Sequence, residues 1–198
     1  RSGAGLRERG EGGGAGDREM AGAVGLAVEA VAECALGTIG ASNGCARGGG
    51  RGAALECGMR IAESHAQMAL PEAAVGLLPC AGGTQRLPWL VGEGWAKRMI
   101  LCGERIDADT ALDIGLVEEV VDSGESLTVA MELAAKVQAQ SPASVVSCKR
   151  LIHAAERQPL QTALAMEREE FVELFNTDDQ MEGVTAFLEK RPPEWTNS

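Results

Sequence analysis

The stretch Met68-Ala69-Leu70-Pro71-Glu72-Ala73-Ala74-Val75-Gly76-Leu77-Leu78-Pro79-Cys80-Ala81-Gly82-Gly83-Thr84-Gln85-Arg86-Leu87 is the most informative in the chain. Pro71 and Pro79 punctuate a turn and a short apolar segment from Leu70 to Leu78. Glu72 is a lone carboxylate among apolar neighbours. On spacing alone it reads most simply as an exposed turn residue; buried, it is placed to act as an acid or base. Gly82-Gly83-Thr84 reads as a tight turn, with helical character over Ala81 to Leu87.

Upstream lies Gly44-Cys45-Ala46-Arg47-Gly48-Gly49-Gly50-Arg51-Gly52-Ala53-Ala54-Leu55-Glu56-Cys57. Three successive glycines let a backbone approach a ligand without interference from Cβ. A helix leaving them, over Arg51 to Cys57, would aim unpaired N–H groups and its positive end at that ligand. An oxygen gaining negative charge there would be stabilised. A flexible turn with no ligand is the simpler reading of the triplet by itself. Of the 26 glycines, 17 precede position 61, so this third of the chain is looser than the rest. Residues Arg1 to Asp17 read as loop. Met20, Val24, Val28 and Val31 have helical spacing and predict a helix over Arg18 to Leu36. Thr38 to Ser42 and Met59 to Ala62 read as strands.

Downstream, helices are expected over Glu93 to Leu101 and Asp107 to Ile114, the latter stopped by Gly115 in a left-handed conformation. Leu116 to Val121 reads as a strand. Trp89 and Trp95 are expected to pack. Ser141 before Pro142 caps a helix that runs to about Ala155. Another helix spans Leu160 to Phe175, and Thr177 with Gln180 opens a last one through Leu188. Pro192-Pro193 ends it. Strands alternating with helices, then helices alone, argue an α/β layer over residues 1–140 and a helical subdomain over 141–198.

Bulk properties narrow the function. The 198 residues suit one domain with a sizeable core. A net charge of −11 counts against nucleic-acid binding, which needs a basic footprint. No apolar run approaches membrane-spanning length, and residues 1–16 lack the apolar centre of a secretory signal. The six cysteines include no CxxC pair, and no histidine sits at metal-ligand spacing from them. They are expected to be buried free thiols in a reducing compartment, with no metal site.

Together these segments resemble the crotonase (enoyl-CoA hydratase/isomerase) family. Its members read A-L-G-G-G-C-E-L-A-x-x-C-D, then L-P-E-x-x-x-G-x-x-P-G-x-G-G-T-Q-R-L. Here Ala46-Arg47-Gly48-Gly49-Gly50 and Cys57 match the first block, and Leu70 to Leu87 matches nearly all of the second. Ser2-Gly3-Ala4-Gly5-Leu6-Arg7-Glu8 is similar to A-G-A-D-L-K-E, with glycine in place of the usual aspartate at Gly5. Gly103 to Ala108 and Ala111 to Val117 are similar to G-x-x-I-x-A-x-x-A-x-x-x-G-L-V. Phe187-Leu188-Glu189-Lys190-Arg191-Pro192-Pro193 matches the usual ending.

The resemblance implies a crotonase-like α/β spiral of β-β-α units, with C-terminal helices that build trimers, often paired into hexamers. It implies that family strands and helices preceding the matched region are missing, as in a fragment or a shortened member. The implied substrate is an acyl-CoA thioester, whose coenzyme A makes a separate cofactor unnecessary. The thioester oxygen would be held by the backbone N–H groups of Ala4 and Gly49, with Gly48 and Gly50 beside it. Arg7, Phe187 and Lys190 would bind the CoA. Hydratases of the family use two glutamates. One corresponds to Glu72, whereas the other position is Gly52. Glu56, one helical turn beyond Gly52, is expected to be structural or solvated. The implied activity is enoyl-CoA hydration. Double-bond isomerisation by Glu72 alone, or a non-catalytic acyl-CoA-binding or oligomerising role, are the alternatives. The implied location is the cytoplasm, or the mitochondrial matrix of a eukaryote.

Overall fold

The computed structural model describes residues 13–47, 49–80 and 82–197. They form two compact units, one of residues 13–34 and 38–131, the other of residues 35–37 and 132–197.

Two small sheets organise the first unit. Strands β1 (Ile39–Ser42), β3 (Met59–Glu63) and β6 (Glu119–Val121) form one, all parallel, with Ile39 opposite Met59 and Ile61 opposite Glu119. Strands β2 (Cys45–Arg47), β4 (Gln67–Ala69) and β5 (Ile106–Asp107) form the other. There β2 runs parallel to β4, and β4 antiparallel to β5. Chain order explains the arrangement. β1 leads to β2 and then helix α2 (Gly49–Leu55), and β3 leads to β4 and then helix α3 (Gly83–Leu101). Each β-β-α unit therefore adds one strand to each sheet, the spiral expected from the sequence. Helix α1 (Gly13–Ala32) precedes these units, and the short α4 (Ala108–Asp113) follows β5.

Apolar side chains from successive β-β-α units meet in one core, where Met68, Leu70, Leu87, Met99 and Leu116 are fully buried. Burying each is worth about 1.5–3 kcal/mol. One buried cation beside these strands is held by several bonds. Buried Arg60 donates through Nε to Leu116 O at 2.9 Å and through Nη1 to Cys57 O at 2.7 Å. Its Nη2 pairs with Glu118 Oε1 at 2.5 Å, and its backbone N–H bonds the other oxygen of that carboxylate. The clamp ties β3 to the chain entering β6. At α4, Asp107 accepts from Thr110 N–H at 2.9 Å, and Gly115 stops the helix at φ 76°, as its position predicted.

Several boundaries differ from the sequence reading. Helix α1 begins at Gly13 rather than Arg18 and stops at Ala32 rather than Leu36, so residues 13–17 are helical, not loop. Residues 1–12 lie outside the described residues. The helices expected at Ala81 to Leu87 and Glu93 to Leu101 are two parts of α3, broken at Gly92 (φ 77°, ψ 160°). The break is a glycine effect, since φ 77° is open to glycine but not to most side chains; Pro88 lies inside the helix one turn before it. Strands β2 and β4 are three residues each, too short to show an alternation. Trp95 packs against the core as expected, whereas Trp89 is 66% exposed. Helix α5 (Ser126–Gln138) was not read from the sequence, although Leu127, Ala130, Leu133 and Val137 carry its periodicity. The division between the units falls within it. No helix of the described residues is long and apolar enough to cross a membrane.

The second unit holds α6 (Pro142–Arg157), α7 (Leu160–Leu174) and α8 (Asp178–Glu189). Both predicted caps form. Ser141 accepts from Ser144 N–H at 3.3 Å and Thr177 from Gln180 N–H at 3.2 Å. The C-terminal segment folds back on α8. Arg191 grips Glu182 with two bonds of 2.6 and 2.9 Å, and this fork, with the Glu194 N–H, holds the Glu182 carboxyl down at about 2. Asp179, only 1% exposed, accepts from Ser141 Oγ (2.9 Å), Thr196 N–H (2.8 Å) and Asn197 N–H (3.1 Å). Burial pushes its carboxyl up, but those bonds outweigh it and hold it below the ordinary carboxylate range.

Asp179→Ala leaves those donors without their acceptor and should cost about 1–3 kcal/mol in urea unfolding at neutral pH. The Asp179 contribution is complete above the ordinary aspartate value of about 3.9 and is lost as pH falls through the lowered folded value. The gap between wild type and variant should therefore narrow in acid. A gap that holds or widens below pH ~3.9 contradicts this assignment.

Candidate functional site

The sequence places its two chemistry-bearing segments in successive β-β-α units. In the first unit, β2 ends at Arg47 and α2 begins at Gly49. The first N–H groups of a helix have no carbonyl partner inside it. Gly49 and Gly50 thus present backbone donors at the end of a strand, the place at which the sequence resemblance put the oxygen-binding N–H. Gly48, Ala4 and Arg7 lie outside the described residues.

In the next unit, β4 ends at Ala69, Leu70 is buried, and Pro71 turns the chain into a 3-10 helical turn, Glu72–Val75. Ala74 N–H donates to Pro71 O at 3.0 Å, Leu77 N–H to Glu72 O at 3.1 Å, and Gly76 closes the turn at φ 72°. Glu72 is half-buried, not the exposed turn residue that spacing alone favoured. Its Oε2 is shielded from solvent and has no hydrogen-bond partner among the described residues. A shielded carboxylate oxygen with a free lone pair is suited to exchange a proton with a bound molecule.

Helix α3 supports both segments, packing against α2 and against the 3-10 turn. Its N-cap is Gly82 at φ 77°, a left-handed conformation that favours glycine. A Cβ on Gly82 would stand 2.8 Å from Glu56 Oε1. A Cβ on Gly83 would stand 2.7 Å from Pro79 Cβ and 3.6 Å from Leu70 Cδ1. Gly82 is thus favoured by its positive φ and Gly83 by the close approach of Pro79.

Gly52 is buried inside α2, so the position of the family's other glutamate carries no side-chain acid. Glu56 does not replace it. Its side chain is 2% exposed and its Oε1 pairs with Arg86 Nε of α3. The sequence marked Arg86 only as part of a motif, and no spacing signal links it to a residue thirty positions earlier.

Phe187 and Lys190 lie in the second unit. Phe187 is 82% exposed near the end of α8, and Lys190 terminates that helix at φ 55°. Among the described residues, no three His, Cys, Asp or Glu side chains gather as a metal site requires.

The profile of the enoyl-CoA hydratase/isomerase family matches residues 1–198. The short-chain-enoyl-CoA hydratase of Clostridium acetobutylicum is 46% identical over 156 residues, which are 79% of this chain and 60% of that protein. The 2,3-dehydroadipyl-CoA hydratase of Escherichia coli is 41% identical over 157 residues, 79% of this chain and 62% of that protein. The chain thus spans about three-fifths of the length of these curated relatives. Among solved structures, Pseudomonas aeruginosa DspI is 60% identical with a TM-score of 0.95, covering 98% of this chain and 74% of that one. An enoyl-CoA hydratase from Bacillus anthracis is 37% identical with a TM-score of 0.96, covering 100% of this chain and 76% of that one.

Proposed function

The chain belongs to the enoyl-CoA hydratase/isomerase (crotonase) family, and from that premise we propose that it binds an enoyl-CoA thioester and moves protons on it with Glu72 as its one acid–base carboxylate. The observation that carries this reading is the shielded, unpartnered Oε2 of Glu72, beside a Gly52 that supplies no acid and a Glu56 tied to Arg86. Backbone N–H groups at Gly49 and Ala4 would hold the thioester oxygen as it takes on enolate charge. Gly48 and Gly50 would line the same loop. Arg7, the Phe187 ring and Lys190 would contact the CoA, an Arg or Lys suiting its phosphates. Coenzyme A belongs to the substrate, and no further cofactor enters the scheme.

Hydration of a 2-enoyl thioester adds hydroxide from water to the β-carbon and a proton to the α-carbon. One carboxylate must then both orient and deprotonate water and deliver the proton, work that two glutamates divide in hydratases. The relatives favour hydratase-like chemistry, running slowly here. A second reading, isomerisation, is favoured by Gly52 with Glu72 retained. In it Glu72 takes a proton from the α-carbon of a 3-enoyl thioester, the oxygen carries the enolate charge, and the same proton returns to the γ-carbon.

A homotrimer or homohexamer fits the second unit. Helix α7 fully buries none of its residues, and Phe171, Phe175, Val184 and Phe187 are exposed along α7 and α8. The six cysteines form no disulfide among the described residues, which suits the cytoplasm or a mitochondrial matrix; Cys45, Cys102 and Cys148 are exposed rather than buried as the sequence reading expected.

Loss of a general acid–base group costs on the order of 10²–10⁴-fold. The chain should isomerise 3-enoyl-CoA faster than it hydrates 2-enoyl-CoA, followed by the thioester's ultraviolet absorbance. Gly52→Glu should raise hydration, and Glu72→Gln should abolish both reactions. Full hydratase activity in the unaltered chain contradicts the one-carboxylate reading. No activity in any of the three proteins, with CoA binding intact, favours the non-catalytic member. Light scattering should give a trimer or hexamer; a clean monomer contradicts both the assembly and any CoA site shared between subunits.

A further inference from the structure

We propose that the Glu56–Arg86 ion pair, its carboxylate buried and its guanidinium partly exposed, is a positioning device, setting the separation between the N–H donor at Gly49 and the carboxylate of Glu72. The inference rests on the reading of those two residues given above. Glu56 directly follows α2, and its N–H donates to Gly52 O at 3.3 Å, so it moves with the helix that Gly49 opens. Arg86 lies in the first turn of α3, and its N–H donates to Gly82 O at 2.7 Å. Between the two, Gly82 is bare backbone against the carboxylate, with room for no Cβ. The next residue, Gly83, packs on Pro79 and Leu70, which flank the turn that begins at Glu72. The ion pair thus joins the helix starting at Gly49 to the backbone on which the Glu72 turn rests.

The pair also makes the junction sensitive. Removing one member of a buried pair leaves the other charge uncompensated, and the surroundings shift to solvate it. A displacement of about 1 Å at a reacting group costs on the order of 10²-fold in rate. Glu56 and Arg86 touch no reacting atom in this account; they act through Gly49 and Glu72.

The test measures kcat and KM of the full chain for the enoyl-CoA it turns over, at a temperature where each protein is folded by circular dichroism. Glu56→Gln should lower kcat about 10–100-fold while KM changes less than about threefold. Arg86→Lys keeps the charge but loses the planar fork and should recover part of that loss. Glu56→Gln/Arg86→Gln should be no slower than Glu56→Gln, because both changes remove one interaction. An unchanged kcat in folded Glu56→Gln, with only a lower melting temperature, overturns the positioning role and leaves Glu72 as assigned. If Glu56→Gln does not fold, full kcat in Arg86→Lys is the overturning result. A wild type that turns over no enoyl-CoA overturns this inference together with the reading beneath it.

Discussion

Close packing at two successive glycines joins helix α2, the Glu72 turn and helix α3 of the first unit. Gly82 takes a left-handed conformation with a carboxylate against its bare Cα, and Gly83 lets Pro79 and Leu70 press on the start of α3. Alanine at Gly82 would be strained by its positive φ and would push on the Glu56 carboxylate, with its Cβ 2.8 Å away, whereas at Gly83 its Cβ would stand 2.7 Å from the Pro79 ring. Because α2, the Glu72 turn and α3 meet there, local geometry in that small region governs a wider arrangement. The spiral itself supplies the rest. Each β-β-α unit adds a strand to each sheet, so the ends of β2 and β4 occupy equivalent places in successive units.

The chemical consequence concerns which acids are available. A helix turn offers Glu56 as a substitute for the missing side chain at Gly52, but Glu56 is buried on Arg86. Gly82 lies against that carboxylate, where a Cβ would stand 2.8 Å from its Oε1. Glu72 differs because its turn is closed by backbone bonds and Gly76, which leaves the side chain out of the local hydrogen bonding. On the proposed reading, one group is kept for structure and the other for proton transfer, and the distinction arises from packing rather than from residue type.

Much of this was readable in the residues. Gly115 as a helix stop, Ser141 and Thr177 as caps and the strands at Ile39 and Met59 follow from local rules, and the structure has them. The segment Leu70 to Leu87 pointed to the fold through its resemblance to the family's motif, and Gly83 within it answers to a close contact with Pro79. What was not readable depended on distant partners. Strands β2 and β4 are too short for periodicity and exist because of neighbours in the spiral. The Glu56–Arg86 pair joins residues thirty positions apart, and the burial of Glu72 Oε2 comes from packing that its sequence neighbours do not reveal. The helical start at Gly13 defied a composition that reads as loop, and nothing in its residues explains why the helix begins there.

The most direct test of the central claim is a crystal structure of the full chain with an unreactive enoyl-CoA analogue. The Glu72 carboxylate should lie within about 3–4 Å of the α-carbon and the thioester oxygen about 3 Å from the Gly49 N–H, with Glu56 still on Arg86. A second carboxylate facing the β-carbon, or an analogue bound away from Glu72, would contradict it.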